Sequence, residues 1–91
     1  MEYWNVMEEF VARKLDEVID SLGCCKCDRC RKDILSFALN RLAPKYVSTD
    51  KGKVLANVEL TSGQAEIDVL AAIYEGAELV KRNPRHFAQK A

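Results

Sequence analysis

All four cysteines of the 91-residue chain lie in one short stretch, GCCKCDRC, at residues 23–30. Cys24, Cys27 and Cys30 repeat at three-residue spacing, and Cys25 stands beside the first. Thiolates at such short spacings converge readily on one ion at about 2.3 Å, and soft ligands in this number favour zinc or an iron–sulfur cluster. Because four ligands this close together suit a single tetrahedral ion, the sequence predicts a zinc site formed by these cysteines.

The identity of the fourth zinc ligand stays open at this point. Adjacent residues tend to point their side chains apart, so Cys24 and Cys25 rarely bind the same ion. His86, the one histidine of the chain, is an alternative fourth ligand. A solvated histidine is the commoner state of such a residue, and the four cysteines are therefore the predicted ligand set.

A redox pair and a disulfide framework are the other uses that four cysteines allow. Cys27-Asp28-Arg29-Cys30 has the C-x-x-C spacing with which thiol oxidoreductases lower a cysteine pKa at a helix N-terminus. No βαβ pattern precedes this pair, and two further cysteines crowd it. Disulfides within so short a stretch would close only tiny loops, which stabilise a fold least. We therefore favour metal binding.

The remaining residue types do not form a recognisable catalytic set. No serine or cysteine is placed to form a triad with His86. The sequence contains no Gly-rich phosphate loop, and its four glycines are widely scattered. Its acidic residues form no paired-carboxylate signature. We expect a protein without enzymatic activity.

Length and hydropathy indicate one domain in the cytoplasm. No apolar run approaches the roughly 20 residues that a membrane span requires. The N-terminal sequence MEYWNVMEEF carries early acids in place of the basic and apolar regions of a secretory signal. We expect a single domain over residues 1–91, in which residues 83–91 form a loose C-terminal tail.

Charge is unevenly distributed, although the formal net charge is zero. Residues 1–22 carry a net charge of −4, residues 23–53 carry +5, and residues 54–91 carry −1. A basic middle segment can face an anionic ligand or, alternatively, the acidic helix of the same protein.

Arg41, Lys45 and Tyr46 form the predicted ligand site within this basic segment, with Lys53 nearby. Arginine binds phosphate in a bidentate manner, and an aromatic ring can stack on a nucleobase. In a dimer, two such sites would form a symmetric pocket for an anionic ligand. The alternative is that both cations are solvated and that the tyrosine belongs to the core.

Two helices are predicted to flank the cysteines. Apolar residues at three- and four-residue steps form a broad stripe on the first helix, which ends at Gly23, a residue suited to the left-handed conformation. Because the stripe is wider than one neighbouring helix can cover, we expect part of it to pack against a second copy of the chain. The second helix is predicted from Asp28, as its N-cap, to Leu42, before Pro44. The stripe consists of Trp4, Met7, Val11, Leu15, Val18 and Leu22, widened by Tyr3, Val6, Phe10 and Ile19.

Residues 45–60 are predicted to form a short β hairpin or an extended arm. KYVST and KVLANVEL are rich in β-branched residues and are separated by the polar turn Asp50-Lys51-Gly52. A third helix follows, because Thr61 and Gln64 make a capping box before a new apolar pattern. The predicted fold class is mainly α, with three helices, the hairpin or arm lying between the second and third. The core face predicted for the third helix consists of Ile67, Leu70, Tyr74 and Ala77.

Three stretches resemble the late competence protein ComFB family: the cysteines, DILSFALNRLAPKYVSTDKG at 33–52, and NPRH at 83–86. Members of that family typically show a cysteine pair, an Asp-Ile helix reading ALN-x-L-P-P-K/R-Y-V, a Gly-containing turn, a final helix and Asn-Pro-x-His. Ala43 stands where a first proline is usual, which should loosen the stop of the second helix slightly. The cysteine cluster is also denser than the usual pair.

The resemblance implies a compact, mainly helical homodimer that binds zinc through its cysteines and has no known catalytic activity. Some relatives are receptors for cyclic dinucleotides and control motility, cell size or competence-related piliation. The expected function is therefore a regulatory or signalling module, with a cyclic dinucleotide such as c-di-GMP or c-di-AMP as its ligand and a link to competence or motility.

Three other functions are alternatives. A dimeric scaffold could act through a regulatory protein partner, using the apolar stripe together with Trp4 or Tyr3. A DNA-binding regulator would use the basic middle segment, but the second helix is apolar along most of its length and leaves few positions to reach base edges. A C-x-x-C redox protein is the third alternative.

Overall fold

The computed structural model describes residues 2–82, and this part of the chain forms four α-helices and one two-stranded antiparallel sheet. The prediction of a mainly α fold is confirmed, with four helices where three were predicted. None of these helices is long and apolar enough to cross a membrane within the described range. In chain order the elements are β1 (Trp4–Asn5), α1 (Val6–Val18), a 3-10 turn (Ile19–Ser21), α2 (Asp28–Arg41), β2 (Tyr46–Val47), α3 (Asp50–Leu60) and α4 (Gly63–Arg82).

Residues 50–60 form the helix α3, so the turn and strand predicted in this segment are wrong. The hydroxyl of Thr49 caps the helix by accepting the backbone N–H of Gly52 at 2.9 Å. Ala56 and Leu60 are four residues apart and are both buried. The β-branched content of the segment favours a strand, but the cap and the helical spacing of the two buried residues decide its structure. The predicted extended arm corresponds only to β2, which pairs with β1.

The capping box predicted for the last helix does not form. Thr61 instead ends α3, and its hydroxyl donates to the carbonyl of Val58 at 3.0 Å. The side-chain amide of Gln64 donates to the Asp68 carboxylate at 2.8 Å within α4. The sequence pattern therefore marks the border between two helices rather than a reciprocal cap.

The core face of α4 also differs from the prediction. Ile67 and Tyr74, which were placed in the core, are 59% and 49% exposed. A long helix that carries apolar residues on more than one side offers several faces, and packing against α2 selects one of them. The buried residues of α4 are Val69, Ala72, Ile73, Gly76, Ala77 and Val80.

Most of the apolar stripe of α1 is covered within a single chain, although Tyr3 at its start is exposed. Phe10, Val11 and Leu15 are fully buried, and Val6 and Met7 nearly so. Helices α2, α3 and α4 all pack against α1 and together cover these residues. The central part of the stripe therefore needs no second copy of the chain to cover it, and the dimer stays a prediction.

Asn5 joins the start of α1 to β2. Its side-chain oxygen accepts the backbone N–H of Met7 at 3.1 Å, as an N-cap, and also the backbone N–H of Lys45 at 2.8 Å. The backbone N–H of Val6 donates to the Lys45 carbonyl at 2.8 Å. One amide thus holds together two segments that lie far apart in sequence.

The close packing of α2 on α4 centres on Gly76. A Cβ atom at this position would lie 3.1 Å from Cδ1 of Phe37 and 3.3 Å from the carbonyl oxygen of Ile34. The absence of a side chain at Gly76 lets the two helices approach this closely, and the contact holds α2 against the core. The cysteine loop leads directly into the first turn of α2, so this packing also fixes the position of the loop.

Candidate metal centre

The cysteines occupy the loop between the 3-10 turn and α2. Gly23 adopts the left-handed conformation with φ of 69°, as predicted, and turns the chain out of the first helical segment. Cys27, rather than the predicted Asp28, is the N-cap of α2, and its sulfur accepts the backbone N–H of Cys30 at 3.4 Å. Asp28 is the first helical residue, where its negative charge suits the helix dipole.

Three of the four cysteine sulfurs form a group. The Sγ atoms of Cys25, Cys27 and Cys30 all lie within 4.8 Å of one another. Thiolates around a tetrahedral zinc ion at 2.3 Å are separated by about 3.8 Å. The three sulfurs would therefore have to move only slightly closer together to bind one ion. The chemistry of this donor set fits zinc.

The three thiols of this group differ in environment. Cys25 and Cys27 are exposed, whereas Cys30 is fully buried in the core. The backbone N–H of Cys30 stabilises the Cys27 thiolate and, with hydrogen bonds from neighbouring thiols, lowers the pKa of Cys27. Burial, together with the neighbouring sulfurs of Cys27 and Cys25, raises the pKa of Cys30 to about 12. A metal ion bound here would have to displace the Cys30 proton, so its binding would be coupled to pH.

Cys24 lies outside this group among the described residues. Its side chain is half-buried and packs against the hydrophobic core, and burial raises its pKa. Leu22 is buried and Cys24 half-buried, whereas Gly23 and Cys25 are exposed. The spacing of the cysteines in the sequence does not show which of them packs against the core. His86, the alternative ligand, lies outside the described residues.

Basic side chains around the loop are paired with acids of α1 and its C-terminal turn. Arg31 forms a fork with Asp16, with distances of 2.9 Å and 3.0 Å between nitrogen and oxygen atoms. This ion pair lowers the pKa of the Asp16 carboxyl. Lys26 binds Asp20 at 2.6 Å. These contacts tie the start of α2 and the cysteine loop to the end of the preceding helix.

The three residues of the predicted ligand site each make a separate set of contacts. Arg41 pairs with Glu75 at 3.1 Å and lines a groove of about 460 Å³ between α2 and α4. Lys45 pairs with Glu59 at 2.7 Å and lines a separate cavity. Tyr46 is 62% exposed, and its ring makes an edge-type contact with the ring of Tyr3.

Much of the basic middle segment is neutralised by the protein itself. Of its eight basic residues, five form ion pairs with carboxylates from the acidic segments before and after it. Lys53 is one of them, and it binds Glu9 at 2.9 Å. The segment therefore presents less free positive charge than its sequence indicates. These five bases are Lys26, Arg31, Arg41, Lys45 and Lys53.

Comparison with known proteins agrees with the resemblance that the sequence motifs indicate. Residues 4–84 match the family model described as late competence development protein ComFB. The chain is 30% identical to the competence protein ComFB of Bacillus subtilis (strain 168), over 93% of this chain and 88% of that protein. It is also similar to a solved structure of the late competence protein ComFB from Bacillus subtilis, with a TM-score of 0.80 and 30% identity over 91% of this chain and 94% of the other.

Proposed function

Because the chain belongs to the late competence development protein ComFB family, we propose that it is a non-enzymatic regulatory module with a structural zinc ion bound by Cys25, Cys27 and Cys30. The observation that carries the proposal is the convergence of these three sulfurs within 4.8 Å. Zinc would hold the loop against the first turn of α2 and keep α1 and α2 at a fixed angle. The reducing cytoplasm would keep the thiolates available for the metal.

Metal analysis of matched loop variants tests this proposal. Full-length protein purified without chelator is expected to carry about one zinc per chain. Cys27→Ser is expected to lose most of this zinc without disturbing the core, because the side chain is exposed. Lys26→Ser changes the adjacent residue and serves as the control that keeps its zinc. Reduced wild-type protein that contains no zinc and takes none up in a titration would rule out the metal site.

We also propose that the module is a homodimer and that α3 provides the interface. Val54, Leu55 and Val58 are 62%, 57% and 61% exposed and lie on one side of this helix. Apolar patches of this kind on a small protein commonly mark a contact with another protein. A second copy of the chain would cover these three residues. The interface would then lie on α3 and not on α1, whose apolar residues are mostly buried within the single chain.

Sedimentation of full-length protein tests the interface. Leu55→Glu is expected to shift the protein towards the monomer, since a charge on the patch must be buried on association. Leu79→Glu places the same charge on α4, at another half-exposed apolar position, and should leave the dimer unchanged. A wild-type protein that is monomeric at high micromolar concentration would contradict the dimer.

A cyclic dinucleotide is the ligand that we propose for Arg41, Lys45 and Tyr46. The exposed ring of Tyr46 supports base stacking, and both cations lie near the end of α2. Each cation would exchange its carboxylate partner for a phosphate, so the affinity should fall as salt rises. Calorimetry with c-di-GMP and c-di-AMP should show heat that Arg41→Ala abolishes. Arg13→Ala, which removes another arginine next to a phenylalanine ring, is the control.

A scaffold that acts through a regulatory protein partner is the second candidate. The exposed face of α3 favours it, because a partner could cover this face in place of a second copy. If folded protein gives no heat with either dinucleotide, the receptor function is excluded and the scaffold function is favoured. Duplex DNA is disfavoured as a partner, since five of the eight bases in the basic segment have acidic partners.

A further inference from the structure

We propose that Cys27 and Cys30 form a peroxide-sensitive pair: a hydroperoxide oxidises them to a disulfide, the zinc ion leaves, and a dithiol reductant restores the site. The inference rests on the proposed function, because it concerns the release of the same zinc ion. It gives the regulatory module an oxidative input, since the metal stays bound only while the pair is reduced. The reaction is the same whichever further group completes the zinc coordination.

The two sulfurs of the pair differ in their access to solvent. Cys27 is exposed, so a peroxide molecule can reach its sulfur, whereas Cys30 is fully buried. The sulfur atoms of the two residues nevertheless lie within 4.8 Å of each other. Cys30 is therefore shielded from the oxidant but well placed to attack Cys27 once that sulfur has been oxidised.

The pair lies at the start of α2, where the backbone favours reaction at Cys27. Cys27 is the N-cap of this helix, and its sulfur accepts the backbone N–H of Cys30 at 3.4 Å. This N–H group and the positive end of the helix dipole stabilise negative charge on the sulfur. Because the thiolate is the form that reacts with oxidants, Cys27 is the expected site of attack.

The other two cysteines are less suited to a disulfide with Cys27. Cys24 lies outside the sulfur group and packs against the core. Cys25 belongs to the group, but only one residue separates it from Cys27, and a disulfide across so short a spacing departs from the preferred geometry. Cys27 and Cys30 have the C-x-x-C spacing at a helix N-terminus that thiol oxidoreductases use. We therefore expect the disulfide to join these two residues.

Formation of this disulfide would remove two of the three proposed zinc ligands. The thiolate is the form of cysteine that binds metals, and a disulfide sulfur carries no such charge. Cys25 would remain as the single thiolate of the sulfur group. Disulfides in the cytosol, where they occur, are usually transient and redox-sensing, which fits a site that is reduced and zinc-bound at rest.

The reaction balances with the hydroperoxide as a two-electron oxidant. The Cys27 thiolate attacks the outer oxygen, the O–O bond breaks, and the remaining oxygen takes a proton and leaves as an alcohol or as water. This step leaves a sulfenic acid on Cys27. The Cys30 thiolate then attacks the Cys27 sulfur, the S–O bond breaks, and hydroxide takes a proton and leaves as water. The two sulfurs lose two electrons, the peroxide oxygens gain them, and zinc keeps its oxidation state.

Treatment of the full-length zinc protein with hydrogen peroxide tests the inference. The protein is reduced with a phosphine, desalted, treated with a small molar excess of peroxide and blocked with N-ethylmaleimide. A metal-sensitive dye is expected to report the release of most of the zinc, and dithiothreitol with added zinc should restore the bound metal.

Peptide mapping identifies which cysteines are joined. Trypsin cleaves after Lys26, Arg29 and Arg31, so all three cysteine-containing segments separate. Cys27 and Cys30 then lie on two short peptides, CDR and CR, while Cys24 and Cys25 stay together on a third peptide. Mass spectrometry of the oxidised protein is expected to find CDR linked to CR.

Two serine variants provide matched controls for the pairing. Cys24→Ser removes a cysteine outside the sulfur group and should form the same link as the wild type. Cys27→Ser changes an exposed side chain and should form no link. Cys30 should remain a thiol in this variant, because the core shields it from peroxide.

The possible results separate this inference from the proposed function. Zinc protein that keeps both its metal and its thiols in peroxide would overturn the inference while the zinc site stands. Zinc release with a link to the peptide of Cys24 and Cys25, or with sulfonic acids and no link, would overturn it in the same way. Protein that holds no zinc before peroxide is added would instead overturn the proposed function, and the inference with it.

Discussion

Among single residues, Asp16 shows how one side chain links the first helix to the segment that follows the cysteine loop. Its carboxylate receives both the Nε and one terminal nitrogen of Arg31, whose side chain is only 31% exposed. This bidentate geometry fixes the guanidinium group four residues after the N-cap of α2. The pair therefore orients the first turn of α2, which carries the buried Cys30, one of the three proposed zinc ligands.

We predict that Asp16→Asn reduces the free energy of unfolding at neutral pH by about 0.5 kcal/mol, since the pair is partly screened by solvent. Because the pKa of Asp16 in the folded protein lies below its ordinary value of 3.8, the stabilisation is fully present above pH 4 or so. It is lost as the pH falls through the lowered pKa, where the carboxylate is protonated. The difference between wild type and variant should therefore disappear in strongly acidic solution.

Urea unfolding at neutral pH and below pH 3 or so measures this difference. Glu2→Gln removes the same charge from an exposed residue ahead of β1 and should have no comparable effect at either pH. A difference between wild type and Asp16→Asn that persists in acid would show that the ion pair is not the cause.

The cysteines also show what single residues reveal in advance of the structure. Their types and close spacing are sufficient to predict a soft-metal site, and adjacency is sufficient to question that Cys24 and Cys25 share an ion. The direction of each side chain depends on how the chain leaves Gly23, a property of the backbone that spacing alone does not contain. The sequence could therefore predict the donor type, but not which three sulfurs converge.

At the level of secondary structure, local sequence signals predicted where helices end. They did not predict that the segment after β2 forms a helix. Gly23 and Pro44 have unusual backbone preferences, and a helical segment ends shortly before each of them, as expected. The residues of α3 have conflicting preferences, since Val54 and Val58 favour strands while Thr49 caps a helix. Tertiary burial of one side of α3 resolves this conflict, and a single sequence does not show it.

The helix pair α2–α4 gives a prediction at the same scale. Gly76→Ala removes a flexible residue from a helix, which alone would stabilise the protein by about 1 kcal/mol. The added Cβ would, however, lie 3.3 Å from the backbone oxygen of Ile34, which cannot move without displacing α2. Because overpacking costs about 1–3 kcal/mol, we expect a net destabilisation of about 1 kcal/mol.

Chemical denaturation measures the sign of this change. The reverse substitution Ala71→Gly, at an exposed position of the same helix, isolates the intrinsic helix preference and should destabilise by about 1 kcal/mol. If Gly76→Ala stabilises the protein by a similar amount, then α2 and α4 do not pack at Gly76 as closely as described.

For the molecule as a whole, the proposed zinc site and the core are expected to depend on each other. The described part of the chain buries one continuous cluster of apolar residues, and Cys30 belongs both to this cluster and to the sulfur group. Any ligand that binds only the folded state stabilises it by mass action. The small core of such a chain makes this contribution a large share of the total stability.

We therefore predict that a strong chelator, under reducing conditions, lowers the melting temperature by roughly 10–20 °C. Free zinc at a hundredfold excess over its dissociation constant contributes about 2.7 kcal/mol, and a domain of this size loses roughly 4–8 °C for each kcal/mol. Differential scanning calorimetry measures the shift. Cys27→Ser, already depleted of zinc, should melt at the same temperature with and without chelator, and an unchanged wild type would contradict the prediction.

The side chain of Asn5 has a consequence for synthesis of the protein. Its oxygen accepts N–H groups from both Met7 and Lys45, so the first turn of α1 obtains its full set of partners only from a segment about forty residues downstream. On the ribosome, that segment emerges well after α1 itself has left the exit tunnel. The beginning of the chain must therefore wait, incompletely anchored, until the middle has been translated.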